Sequence, residues 1–221
     1  MKTTYTNKQF INHLDKTKIK TILEIGSRDC MDSLDLQSHF DADIYSIDGN
    51  PDVKDICSKN ARKNPRVNFY NYVVWKENKK IKFRPVDMDK SQDKNIGASS
   101  IFKWDLYKKF PSICSSEDII QKEIEIDAIT IDWFCKKYCI QPDYLCMDIQ
   151  GSELQALIGS VKTLPKIRYI LTEVEFTPSY NYPASYDEII SFLTQHDFVE
   201  VERENCCHYF GNILFYNEAL I

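Results

Sequence analysis

The stretch Leu145-Cys146-Met147-Asp148-Ile149-Gln150-Gly151-Ser152-Glu153-Leu154 restricts the fold more than any other part of the chain. An apolar run ends in an acid, a glycine follows, and an amphipathic helix begins. This is the pattern of a buried strand with Asp148 at its carboxyl end. In open α/β sheets, ligands bind in the crevice beyond such strand ends. Ile22-Leu23-Glu24-Ile25-Gly26 repeats the arrangement with a glycine, and Ile44-Tyr45-Ser46-Ile47-Asp48 repeats it with an acid. Three strand ends carrying acids or glycine point to one nucleotide-like ligand.

The chain has 221 residues and is 43% apolar and 13% aromatic, which is enough for one well-cored domain over 1–221 and too apolar for disorder. Net charge is −5, with no long basic run. Lys59, Arg62, Lys63 and Arg66 read as a solvated helix face, because a nucleic-acid footprint is more extensive. No apolar run approaches the roughly 20 residues of a membrane span. The polar, lysine-rich stretch from Met1 to Lys20 does not have the form of a signal peptide. The 8 cysteines show no C-x-x-C pair and several lie within apolar runs, so reduced thiols in a cytoplasmic protein are expected. A zinc reading through Cys135, Cys139, Cys206, Cys207 or His208 lacks the usual ligand spacing.

Periodicity predicts a short helix over 7–14, a strand over Thr21–Ile25, and a helix capped by Asp32 that carries Leu34, Leu36 and Phe40. Strand Ile44–Ile47, the turn Asn50-Pro51 and a helix over Asp52–Lys63 follow. Val67–Trp75 reads as one strand, with Ile81–Arg84 returning as its hairpin. The polar stretch 87–100 reads as a loop or lid, with 87–122 as an insertion. Glu123–Ile131 alternates as a strand, and Asp132–Tyr138 reads as a helix. After strand Tyr144–Met147, Ser152 and Gln155 fit a capping box for a helix through Val161, with Leu154, Leu157, Ile158 and Val161 inward. Strand Ile167–Phe176, helix Tyr186–His196, and an antiparallel pair Phe198–Glu202 and Asn212–Tyr216 complete a doubly wound α/β domain.

Gly26 allows close approach to the backbone, and the amides of Ser27 and Arg28 with the next helix start favour a polar group. Asp48 follows by about 20 residues, where an acid can accept both hydroxyls of a ribose. With one glycine only, this is not the G-x-G-x-x-G fingerprint. A turn glycine followed by a helix-capping acid fits the same residues.

The order of these motifs, from about Ile22 to Tyr216, resembles the FkbM family of S-adenosylmethionine-dependent methyltransferases. The most specific segment is Ile126 to Gly159. Ile129-Thr130-Ile131-Asp132 resembles the family's T-L-D strand end, and Leu145 to Leu154 resembles its L-K-I-D-V-E-G-A-E-L signature. Ile22–Ser27 resembles the glycine motif, Tyr45–Pro51 the ribose-binding segment, Gly97–Ser100 a serine-containing loop, and Gly211–Phe215 the final strand. The resemblance implies an α/β, Rossmann-like class I methyltransferase fold: a seven-stranded mixed sheet with an antiparallel C-terminal hairpin. It also implies methyl transfer, usually to oxygen, with S-adenosylmethionine as cofactor. Carried over, Glu24, Gly26, Ser27 and Arg28 shape the methionine end, Asp48 holds the ribose, Asn50 and Val74 flank the adenine, and Asp148 stands at the transfer centre. The chain departs from the pattern at the family's second loop glycine, where Arg28-Asp29-Cys30 stands. It departs again at Cys146 in place of lysine and Gln150 in place of glutamate.

A hydroxyl nucleophile needs a base or a metal to ease loss of its proton. Asp148 is the first candidate, followed by Glu173, with His208 as an alternative base or a structural residue. Asp148, Glu173 and Glu175 are also the candidate ligands for a divalent cation such as Mg, or else acids on a solvent face. Glu153, in a first helical turn, is stabilised there by the dipole whether or not it has a function. The aromatic stretch Phe176 to Pro183 suits a sugar acceptor or a packed loop. Trp104 and Tyr107 read as core of the 101–122 segment. The leading expectation is O-methylation of a small molecule or glycan, with no nucleic-acid partner. The competing one is a non-catalytic binding module on the same fold, consistent with Cys146, Gln150 and the altered loop. A nucleotide-dependent oxidoreductase is disfavoured by the missing glycines.

Overall fold

The computed structural model describes residues 4–181, 183–205 and 209–220. The first half carries α1 (Lys8–Ile11), β1 (Thr21–Ile25), α2 (Met31–Phe40), β2 (Asp43–Ile47), α3 (Lys54–Ala61), β3 (Val67–Tyr70), β4 (Val73–Val74) and β5 (Lys79–Phe83). The second half carries α4 (Leu106–Lys109), β6 (Ile124–Ile129), α5 (Ile131–Tyr138), β7 (Tyr144–Met147) and α6 (Glu153–Ile158). It ends with β8 (Tyr169–Glu175), α7 (Tyr186–Thr194), β9 (Phe198–Asn205) and β10 (Phe210–Asn217).

The main sheet has seven strands in the order β3-β2-β1-β7-β8-β10-β9. Strands β3, β2, β1, β7 and β8 run parallel, while β10 is antiparallel to both β8 and β9. The central parallel strands are buried on both faces and therefore read as continuous apolar runs. Alternate residues serve opposite layers. Leu23, Ile25, Leu145 and Met147 pack with Phe134, Leu157 and Leu193 on one face. Ile22, Tyr144 and Cys146 pack with Phe10, Leu36 and Phe40 on the other.

From β1, the sequence order leads to β2 and β3 on one side and to β7 and β8 on the other. The loops leaving β1 and β7 therefore diverge, and the crevice opens at their carboxyl ends. Gly26 and Asp148 stand at those two ends. Gly26 has φ +93° and donates to Ile47 O at 2.8 Å. A Cβ built on Gly26 would overlap the Asp148 carbonyl.

Several sequence expectations change. The expected strand Val67–Trp75 is split, with β3 in the main sheet and β4 in a second, three-stranded sheet ordered β4-β6-β5. Asn71 lies at the break, and its amide donates to Asp48 O at 2.7 Å and Asn50 O at 3.2 Å. Those bonds pull the chain onto the β2 exit loop and out of the sheet. β5 does not form a hairpin with its predecessor; it pairs antiparallel with β6, to which β4 is parallel.

The expected caps at Asp32 and Ser152 are also replaced. Asp29 Oδ1 accepts the Met31 N–H at 3.0 Å, leaving Asp32 inside the first turn of α2. Ser152 makes no cap bond; Glu153 accepts the Ile149 and Gly151 N–H groups at 2.9 and 3.3 Å. Gln150 (φ 55°) and Gly151 (φ 93°) turn the chain so that these amides face Glu153. Val161 lies beyond α6 and is exposed.

Residues 87–122, expected as a lid or insertion, are organised around Val86, Ala98, Trp104, Ile119 and Tyr180. Trp104 bridges to Tyr180, Asp105 N–H donates to Ser179 O at 3.0 Å, and Asn181 N–H donates to Lys103 O at 2.9 Å. The loop after β8 is thus stitched to this segment.

Gly26→Ala combines a left-handed backbone with overlap onto main chain, which no side-chain adjustment relieves. Chemical denaturation is expected to show a loss on the order of 3 kcal/mol. Unchanged stability would refute the tight β1–β7 junction.

Candidate active site

A cleft of about 1090 Å³ opens at this junction. Its wall includes Gly26, Arg28, Asp48, Asn50, Val74, Asp148, Glu173 and Glu175. Seven of the residues singled out from sequence for cofactor binding or chemistry thus meet in one cavity with Glu175, the third candidate metal ligand.

On the β2 side, Asp48 is set into the wall by two backbone donors. Arg28 N–H reaches Oδ2 at 2.8 Å and Asn50 N–H reaches Oδ1 at 2.8 Å. Burial pushes its carboxyl up to about 6 despite those bonds. Each oxygen keeps a further acceptor site, as a ribose diol requires. Asn50 is buried, accepts the Asp52 N–H at 3.0 Å and donates to Ser99 Oγ at 3.1 Å. Val74 is buried between the cleft and the core cluster that includes Leu23 and Ile47.

On the β7 side, the Gln150 amide nitrogen donates to Asp148 Oδ1 at 2.6 Å and to Glu173 Oε1 at 3.1 Å. Burial raises the Asp148 carboxyl, with Gln150 and Arg28 opposing. Burial raises Glu173 well above the carboxylate range, reinforced by Asp148, Glu153 and Glu175. Glu175 accepts the Ser179 N–H at 2.9 Å, and burial pushes it up to about 7. Among the described residues, Arg28 is the only basic side chain in the cleft wall. A positively charged sulfonium cofactor therefore fits this donor set, and so does a ribose at Asp48.

Glu24 and Ser27 stand behind the wall. Glu24 is fully buried; Ser33 Oγ donates to its Oε2, as does Ser46 Oγ at 3.0 Å. Its Oε1 has no hydrogen-bond partner among the described residues. Burial pushes this carboxyl up to about 8. Ser27 is buried, with Cys30 Sγ 3.7 Å from its hydroxyl. Cys146 is fully buried in the layer with Phe10 and Leu36, so its replacement of lysine does not reach the cleft. His208, Cys206 and Cys207 lie outside the described residues. The described cysteines are free thiols, and among the described residues no group of three His, Cys, Asp or Glu is arranged to hold a metal ion. No helix among them is long and apolar enough to cross a membrane.

Sequence reasoning missed Asp32, Tyr5 and Ser99 as wall residues. It also missed Gln150 as the bridge between two acids. Asp32 is pushed up to about 6, chiefly by burial, and was visible in sequence only as a helix-start acid.

A doubly wound sheet whose one reversed strand lies between its last two parallel neighbours, opening at a glycine turn and a ribose-type acid, defines a class I S-adenosylmethionine-dependent methyltransferase. The methyltransferase FkbM domain matches residues 29–200, and the chain belongs to that family. The 2-O-methyltransferase NoeI of Sinorhizobium fredii (strain NBRC 101917 / NGR234) is 23% identical over 200 residues, covering 87% of this chain and 78% of NoeI. Among solved structures, the magnesium protoporphyrin IX methyltransferase of Synechocystis PCC 6803 with bound SAM has a TM-score of 0.48 at 10% identity, covering 89% of this chain and 69% of that one. A fibrillarin/Nop5p complex gives 0.49 at 12%, covering 92% and 74%.

Glu24 yields a pH prediction. Its folded-state pKa is raised above its unfolded value, so the native state holds a proton that the unfolded chain releases. Its contribution is greatest below pH 4.5 and is lost as pH rises towards about 8. Glu24→Gln is neutral and keeps an acceptor for both serines. Its melting temperature should exceed that of the unsubstituted protein at about pH 9, by on the order of 3 kcal/mol in stability, with the gap closing near pH 5. A gap that does not vary with pH would refute the assignment.

Proposed function

We propose that the protein methylates a hydroxyl of a saccharide, using S-adenosylmethionine. The carrying observation is that Asp48, Asp148 and Glu173 share one cleft with Trp104 and Tyr180. In this reading Asp48 holds the ribose, the Gly26–Arg28 turn receives the methionine end, and Asn50 and Val74 flank the adenine. The bound cofactor supplies an activated methyl group on a good, neutral leaving group, so alignment of the reactants is the main demand.

The acceptor hydroxyl must lose its proton as its oxygen becomes bonded to the methyl carbon. Asp148 is the carboxyl assigned to take that proton, with Glu173 beside it on the same Gln150 amide. The saccharide assignment draws on the aromatic rings at Trp104 and Tyr180 and the hydroxyl-accepting acids in the same wall, and transfer to oxygen draws on the 2-O-methyltransferase named among the relatives. No step is assigned to a cation. The reading places the protein in the cytoplasm, where the cofactor is made.

Calorimetry with S-adenosylmethionine and S-adenosylhomocysteine should show saturable one-site binding. Asp48→Ala should weaken it by about 30-fold, since a charged acceptor of two hydroxyls is lost. In the unsubstituted protein, affinity should fall as pH drops through about 6, where Asp48 takes up a proton. That pH dependence should weaken in the variant, and equal affinities would exclude Asp48 as the ribose acceptor.

Asp148→Asn should lower turnover of a methylated sugar acceptor by about 100-fold while leaving cofactor affinity within a few fold. Turnover close to that of the unsubstituted protein would remove Asp148 from the transfer step. Screening should begin with deoxysugars and their glycans; cofactor binding without turnover on any acceptor would favour a binding module.

A further inference from the structure

Gln150 stands where four elements converge. It follows β7 with φ 55°, and its side chain reaches across the cleft to β8. Its amide nitrogen is committed to Asp148 and Glu173. Its Oε1 accepts the Tyr180 hydroxyl at 2.8 Å, and its main-chain oxygen accepts Ser100 Oγ at 2.8 Å. Tyr180 is buried, and its hydroxyl also lies 3.2 Å from Ala98 O.

The chemistry of a carboxamide explains this placement. It offers two N–H donors, enough for one bond to each acid, and adds no charge. The Tyr180 hydroxyl donates to the amide oxygen, and that bond holds the N–H end towards the two acids. A glutamate here would set a third carboxylate against the first two. An apolar side chain would leave the two half-buried acids facing each other without the amide between them.

The two acids have different surroundings. Arg28, from the loop after β1, acts on Asp148 and favours its charge, and Asp148 in turn opposes ionisation of Asp32 and Asp48. Glu173 instead faces Asp148, Glu153 and Glu175, which oppose its ionisation. Tyr180 and Tyr5 are neutral neighbours within the same field.

We infer that Gln150 is a positioning residue whose amide holds the Asp148 and Glu173 carboxyls together as one acid–base unit. Through Tyr180 and Ser100 it ties that unit to the 87–122 segment. The catalytic half of this inference rests on the methyl-transfer reading above. In the transfer step, the acceptor oxygen forms its bond to the methyl carbon and the carbon–sulfur bond breaks, with the electron pair left on sulfur. The hydroxyl proton passes to Asp148, so both members of the unit are neutral until one proton leaves to solvent.

The test follows the carboxyl titrations of Asp148 and Glu173 by ¹³C NMR in the full chain, which needs no acceptor. In the unsubstituted protein, Asp148 should titrate below Glu173. Gln150→Met keeps the volume and removes the amide, and should move the Asp148 titration up by about one pH unit. With an acceptor in hand, the acidic limb of the kcat profile should move by the same amount. This costs about tenfold in kcat on that limb, with KM unchanged and activity recovering at higher pH.

Tyr180→Phe leaves the amide but frees its orientation, and should give a smaller shift in the same direction. It carries the test if Gln150→Met does not fold. Unmoved titrations in the folded variant, or Glu173 titrating below Asp148, would overturn the inference. A loss of kcat equal at every pH would reduce Gln150 to a packing role. Shifted titrations in a protein that turns over no acceptor would leave the clamp standing and defeat the methyl-transfer reading instead.

Discussion

The main-chain contact between Gly26 and Asp148 is the constraint on which the rest of the molecule depends. The strands that carry these residues are hydrogen-bonded neighbours, yet their exit loops lead to opposite sides of the sheet. The first loop can cross the end of β7 only because position 26 has no side chain. That crossing fixes the position of Arg28 N–H, which holds Asp48, and of Ile47 O, which accepts from Gly26. The cleft floor is therefore made of backbone, and backbone geometry sets the spacing between its two acid-bearing sides.

The second constraint is the scarcity of cations at the site. The buried acids near it are held by neutral donors: Glu153 by two peptide N–H groups and Glu175 by the Ser179 N–H. Such donors satisfy lone pairs but supply no full charge against desolvation. Glu153 and Glu175 accordingly hold their protons to higher pH than ordinary carboxyls. A cationic ligand entering this wall would meet acids whose ionisation it favours, and binding and proton release would then be coupled.

The strands β1 and β7 are legible in the sequence to the residue, because a buried parallel strand is an unbroken apolar run between turn signals. Asp48, Asp148 and Gly26 are legible as strand-end residues for the same reason. Other features depend on partners distant in the chain. The split at Asn71 comes from a side chain bonding to the loop after β2, which no local pattern records. The pairing of β5 with β6 skips the 40 residues 84–123, so proximity in sequence points to the wrong neighbour. Glu24 sits on a strand whose alternation gives its face but not its distance from the cleft. Gln150 stood out only as a departure from a motif, and its tie to Tyr180 spans 30 positions.

Acids buried without counterions change the protein as a whole as well as its site. The formal charge of −5 assumes that every carboxyl is ionised at pH 7. Glu24 and Glu153, each raised to about 8, retain protons there, and Glu175 at about 7 is divided between its two forms. Folding is therefore an event of proton uptake at neutral pH. With those protons retained, the native protein is less anionic at neutral pH than its composition. Folded and unfolded chains consequently differ in electrophoretic mobility beyond what their sizes dictate, and an ion exchanger can separate them by the protons the native state has taken up.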